Sequence, residues 1–217
     1  MVLKSCRRWW QCCLFVGLMA GSLSPVHAGS YEDFFSAIDR DDGAAVAALI
    51  ERGFDANSRS PDGQCGLYLA LQKEADAALA ALLKAKDLNV NLLNVNGESA
   101  LMIAALKGNL EGTQKLLLRG AQVNKPGWTP LHYAASGQQP KVVSLLLDNG
   151  ALIDAQSPNG TTALMMAARY GDEGNVRVLT LRQADGRLKN QQGLDAAAFA
   201  RLAGREALAK SIEQRYR

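Results

Sequence analysis

The stretch TPLHYAA, residues 129–135, holds a histidine whose ring has the chemistry of a general base or a metal ligand. His132 must be weighed first, because the only other histidine, His27, lies in a segment expected to be removed. A metal site would need partner ligands, and the sequence has neither a C-x-x-C pair nor an H-E-x-x-H run. No phosphate loop follows a strand pattern, and no G-x-S-x-G elbow is present. Asp39, Asp41 and Asp42 have the look of a paired acid site, but they fall in a turn between two helical stretches and read as a solvated loop. Asn159-Gly160-Thr161 has the form of a glycosylation acceptor, and Asn-Gly equally suits a tight turn at that point. This inventory predicts no catalytic residue, no cofactor and no metal.

The first residues carry a different signal. Lys4, Arg7 and Arg8 precede an apolar run from Leu14 to Leu23, and SPVHA follows with small residues at Val26 and Ala28. That order reads as a secretory signal peptide over 1–28, cut after Ala28, which places the protein in the periplasm or outside the cell. The run is too short for a spanning helix, which needs about 20 residues, so no stable membrane insertion is expected after the cut. A twin-arginine signal is a poorer fit to Trp9-Trp10-Gln11 after the arginine pair. The segment holds the whole formal excess of +3, so basic and acidic side chains balance in 29–217. A nucleic-acid binder normally shows a basic surplus, and none is expected as a partner. Of the four cysteines only Cys65 lies beyond the cut, so the exported chain has no internal disulfide and must be stable through its core.

That core must come from repetition. Glycines at 63, 97, 127, 160 and 193 open similar segments, a period of about 33 residues that marks a solenoid. In the segment from Gly127, Thr129 is placed as a helix N-cap and Pro130 follows at the first helical position. Leu131, Ala134 and Ala135 give a short helix with a small-residue side, and a turn follows at Gly137. Val142, Val143, Leu145, Leu146 and Leu147 form the apolar stripe of a second helix. Gly150 ends that helix as a left-handed cap. ALIDAQSPN then leads through an extended hairpin to the next glycine. One unit cannot bury its apolar face alone, whereas stacked units bury a continuous core.

With T-P-L-H near its start, A-A next, L-L-L in its second helix and G-A after it, this unit resembles the ankyrin repeat. Units 97–126 and 160–192 are similar, and 63–96 keeps the spacing but lacks the mid-unit glycine. Residues 31–62 fit a starting cap and 193–217 a closing cap. The resemblance implies an all-α repeat solenoid of about six helix pairs across 29–217. It also implies that His132 is structural, reaching back to Thr129 as a capping-box residue does. Tyr68, Met102, Met165 and Ala198 stand at the matching positions, and none has a histidine's chemistry.

The same resemblance implies a non-catalytic protein-binding module, expected to be monomeric, that acts through hairpin tips and the concave helix face. Carried over by position, the tip residues are Gln64, Asn96, Glu98, Trp128, Asn159 and Thr161. Those of the helix face are Lys73, Lys107, Ser136, Arg169 and Tyr170. The partner is a protein of unspecified identity, with an exported enzyme to be inhibited, protected or scaffolded as the first reading. A secreted effector acting on a host protein is the second, and a hydrolase the third. Two residues separate Asn124 from Gly127 where the matching gaps hold five, so the third hairpin is expected to leave a notch beside Trp128. Residues 29–62 are mostly acidic and 177–217 mostly basic, which polarises the stack from end to end.

Overall fold

The structure is a computed structural model and describes residues 26–217. The basic stretch, the run Leu14–Leu23 and Cys6, Cys12 and Cys13 lie outside the described residues. Helix α1 (Val26–Asp39) runs across the bond after Ala28. It pairs with α2 (Gly43–Glu51), and the pattern repeats in α3 (Gly66–Gln72) with α4 (Asp76–Lys84) and α5 (Ala100–Lys107) with α6 (Leu110–Leu118). It continues in α7 (Pro130–Ser136) with α8 (Pro140–Asp148), α9 (Ala163–Tyr170) with α10 (Glu173–Leu181) and α11 (Ala196–Leu202) with α12 (Glu206–Arg215). These six helix pairs form the helical solenoid that the 33-residue period predicts.

Short helices need their ends satisfied, because each leaves four N–H groups without intrahelical partners. The Oδ1 of Asp42 accepts from the Ala45 N–H at 2.9 Å, Asn109 does the same for Gly112 at 2.7 Å, and Asp195 for Ala198 at 2.8 Å. Asp41 corrects the reading of the first carboxylates as a solvated loop. Its Oδ1 accepts the Ala78 N–H of the next unit's α4 at 2.9 Å, while Asp39 pairs with Lys73 at 3.1 Å. Asp39 and Asp41 thus tie the first unit to the second, while Asp42 caps α2 within its own unit. Gly150 adopts φ +84 after α8, as a left-handed cap requires. At the matching place after α10 stands Gln183, held at φ +67 without a glycine's freedom.

The first helices pack closely through alanines: Ala70, Ala104, Ala105, Ala134, Ala135, Ala167, Ala168 and Ala200 are buried. α5 lies on α7, α7 on α9 and α9 on α11. Behind them Val46, Leu79, Leu82, Leu116, Val142, Leu146 and Leu179 from the second helices close the core. Cutting one such leucine to alanine typically costs about 2–5 kcal/mol.

Between units runs a ladder of side-chain rungs. Asn57 Nδ2 donates to Asp87 O at 2.9 Å and its Oδ1 accepts from Asn89 N at 2.7 Å. Asn91 repeats both bonds to Gly120 and Gln122, and Asn124 to Gly150 and Leu152. The fourth rung is Asp154, which accepts from Asp185 N at 2.9 Å and has no N–H to give back. Four hairpins close with a backbone bond: Ser60 N–H to Gln64 O, Asn94 to Glu98, Ser157 to Thr161 and Asn190 to Leu194. The third has no such bond among the described residues, because the three missing residues would carry it. Lys125 instead donates from Nζ to Pro126 O at 3.1 Å and Trp128 O at 3.3 Å. The ends differ in charge: Glu32, Asp33 and Glu51 are exposed on the first pair, and Arg177, Lys210 and Arg215 on the last two.

Candidate protein-binding face

Because the first helices align, residues at one place in the repeat form rows. Nine residues after each unit glycine the row reads Gln72, Leu106, Ser136, Arg169, Leu202. The next row reads Lys73, Lys107, Gly137, Tyr170, Ala203. Leu106, Tyr170 and Leu202 are exposed large apolar side chains here, Tyr170 at 53 %. Lys107 pairs with Glu74 of the preceding unit at 3.0 Å, matching the Lys73–Asp39 pair; such exposed bridges are worth about 0–1 kcal/mol. Arg169 has no carboxylate partner among the described residues. Its guanidinium lies 5.0 Å from the Tyr170 ring centroid and 6.0 Å from that of Phe199.

Ser136 is the small member of its row, and a recess of about 250 Å3 opens there. Leu106, Trp128, His132, Tyr133, Ser136 and Met166 line it. His132 forms its floor, fully buried, with the Trp128 ring edge-on at 5.3 Å between centroids. Its Nε2 lies 2.9 Å from Thr161 O, a carbonyl that can only accept, so Nε2 carries the proton. Nδ1 is then the acceptor, taking the Thr129 N–H at 3.2 Å and the Thr129 hydroxyl at 2.8 Å. The hydroxyl therefore gives its proton to the ring, where the cap pattern alone would have it accepting from the backbone. Burial holds the His132 pKa below its ordinary value. With both nitrogens engaged and no charge, the ring is a structural tie between two units. Met102 and Met165 take the Nδ1 role in their own units, their sulfurs 3.3 and 3.5 Å from the Ser99 and Thr162 N–H groups.

Glu98 gathers three donors. Its Oε2 accepts from Asn94 Nδ2 at 2.8 Å and the Tyr68 hydroxyl at 3.1 Å, and its Oε1 from the Tyr133 hydroxyl at 2.8 Å. Asn94 also donates to Gln64 Oε1 at 3.0 Å. Three units thus meet on one carboxylate. Those donors outweigh its partial burial and hold the Glu98 pKa below the ordinary carboxylate range. Desolvation and the neighbouring Glu98 charge push Tyr68 up to about 12 and Tyr133 higher still.

The model of ankyrin repeats (3 copies) matches residues 34–126 and 113–192. The chain belongs to the ankyrin-repeat family. Ankyrin repeats are protein–protein interaction modules, and the family is in general non-catalytic. The chain is 32% identical over 152 residues to the B-cell lymphoma 3 protein homolog of Mus musculus, covering 67% of this chain and 34% of that protein. It is also 32% identical over 164 residues to neurogenic locus notch homolog protein 1 of Xenopus tropicalis, covering 67% of this chain and 6% of that one. The chain therefore spans about a third or less of these relatives. Among solved structures it resembles the ankyrin repeat domain of Bcl-3, with TM-score 0.70, 28% identity and coverage of 83% and 81%. It also resembles a chain in the complex of the Bd0816 predatory endopeptidase from Bdellovibrio bacteriovorus with immunity protein Bd3460. There the TM-score is 0.73 and the identity 28%, covering 84% of this chain and 97% of that one.

The positions carried over from the ankyrin pattern separate into groups. Trp128 and Ser136 line the recess and Arg169 and Tyr170 follow its Met166 on α9, while Lys73, Lys107, Asn96 and Asn159 are exposed along the same stack. Gln64 and Glu98 are turned into the hydrogen-bonded cluster between hairpins. Thr161 is a correction: it is 2 % exposed, its backbone serving His132 and its own hairpin, and its side chain is not a tip group. Tyr133 and Met166 line the recess without having been singled out by the motif. Their signal was the row six residues after each glycine, Leu69, Ile103, Tyr133, Met166 and Phe199, which is large throughout. Among the described residues no His, Cys, Asp or Glu cluster could hold a metal ion, and no helix is long and apolar enough to cross a membrane.

Proposed function

We propose that this chain is an exported ankyrin-repeat protein that binds an exported enzyme across its inner face and keeps that enzyme inactive or protected. The observation that carries the reading is the patch formed by Leu106, Tyr170 and Leu202, with Arg169, from two adjacent rows along the stack that holds the Trp128 recess. Leu106, Tyr170 and Leu202 face solvent there, and Arg169 lies half-buried against the Tyr170 and Phe199 rings with no carboxylate partner among the described residues. Aromatic and arginine side chains of this kind supply most binding energy when a partner covers them. The likeness to a chain of an endopeptidase–immunity protein complex supports an enzyme as the partner class. The balance of charge in 29–217 is in keeping with a protein target over a nucleic acid.

The test is capture from the exported fraction with the tagged full chain, mass spectrometry of what is retained, and an assay of the retained enzyme with and without added chain. A saturable fall in activity, or protection from proteolysis, is expected. Retention of nothing from that fraction, or of nucleic acid alone, overturns the reading.

A further inference from the structure

Resting on the protein-binding reading above, we propose that the recess beside Trp128 receives one large apolar side chain of the partner, and that Arg169 pairs with a carboxylate next to it in the partner's sequence. The geometry first restricts the size. At about 250 Å3 the recess falls below the roughly 300–1,000 Å3 of pockets that enclose small-molecule ligands, and suits a single side chain.

Polarity restricts the occupant next. Both His132 nitrogens are engaged, the Tyr133 hydroxyl donates to Glu98, and the Ser136 hydroxyl donates to Tyr133 O at 2.9 Å. A polar occupant would lose its water and, apart from the Trp128 indole N–H and the lone pairs of the two hydroxyls, find no partner on the floor or walls, which is costly. An apolar one loses nothing and gains contact with Leu106, Met166 and the indole face. Met166 can adjust to the shape of an aromatic ring or a branched chain. The Trp128 indole N–H alone has no acceptor within the described residues, which leaves it a donor for a main-chain carbonyl of the entering segment.

Charge fixes the neighbour. Arg169 follows Met166, which lines the recess, by one turn of α9 and shares its face, so its charge stands one helical turn from the recess. Its guanidinium leans on the Tyr170 and Phe199 rings and has no carboxylate partner among the described residues. Lys107, across the recess in the adjacent row, is already neutralised by Glu74. The unanswered charge next to the recess is therefore positive and on its α9 side. The shortened third hairpin leaves the approach open to an extended segment.

The probes are blocked peptides, Ac-Gly-Phe-Asp-Gly-amide, the same with Asn for Asp, and the same with Ala for Phe. Each is titrated at millimolar concentration into the 15N-labelled full chain while the indole signals are followed, that of Trp128 being identified through W128F. The Phe-Asp peptide should shift the Trp128 signal saturably. The Phe-Asn peptide should bind about three- to fivefold more weakly, the size of an exposed ion pair, and the Ala-Asp peptide should leave the signal in place. S136L should fill the recess and abolish binding with its melting temperature unchanged, and R169Q should erase the difference between Asp and Asn. Equal binding of the Asp and Asn peptides, unaltered binding by folded S136L, or no saturable shift would each overturn the inference. A captured enzyme that still binds S136L with full affinity but loses affinity on Tyr170→Ala or Leu202→Ala would sink the recess assignment alone and leave the binding-module reading standing.

Discussion

His132 and Glu98 are two side chains whose ionisation the fold shifts within the range where stability is measured. His132 is neutral and its folded pKa is depressed by burial, so below its ordinary value near 6.5 the unfolded chain binds protons that the folded chain refuses. Its contribution to stability is complete above about 6.5 and is lost as pH falls below it. His132→Met copies the sulfur cap of Met102 and Met165 but gives up the bond to Thr161 O. It should cost about 0.5–1.5 kcal/mol at pH 8 and flatten the loss of stability between about pH 6.5 and 5, read from urea midpoints at each pH. An unchanged acid slope would show that other groups carry it. Glu98, with a depressed pKa, loses its contribution only at lower pH, as the carboxylate itself protonates. Glu98→Gln offers one acceptor oxygen to three donors and sets its amide N–H against one of them. A cost of about 1–3 kcal/mol is expected, and wild-type stability in that variant would contradict the three-donor arrangement.

At the scale of elements the rungs between units make the sharpest case. Asn57, Asn91 and Asn124 both donate and accept, whereas Asp154 only accepts. Asp154→Asn restores an N–H aimed at the Gln183 carbonyl and should raise stability by about 0.5–1.5 kcal/mol. Gln183→Gly, relieving a left-handed residue, should add about 1 kcal/mol. Chemical denaturation of both single variants and the double checks this, and a loss in Asp154→Asn would mean the rung is not built as its neighbours are. The pairing of helices, the Gly150 cap and the Thr129–His132 capping contact were all legible in the sequence, because each depends on residues within one unit. Asp41 capping α4 and Glu98 joining three units were not, since their partners lie about one repeat away and no spacing rule names them. The binding face was legible in half: the short gap at Lys125-Pro126 and Trp128 marked its place. The cavity itself came from Ser136 being small between Leu106 and Arg169, which only row-by-row alignment makes visible.

For the whole molecule, export is the first matter to check. N-terminal sequencing of protein from its native compartment should begin at Gly29, and an intact Met1 on membrane-bound material would defeat the cleavage proposal. A solenoid draws its stability from neighbouring units, so α1–α2 and α11–α12 act as lids whose outer sides meet water. Those lids are also of opposite sign, and this makes the stack an electric dipole about as long as the molecule. Near an anionic surface such a rod experiences a torque: its α10–α12 end is drawn in and its α1–α2 end is pushed away. It would stand on the surface like a post, with the Trp128 recess on its flank and open to whatever diffuses along the surface. Above physiological ionic strength, where screening acts within less than about 8 Å, the post would lose its preferred direction and the same face would be approached equally from every side.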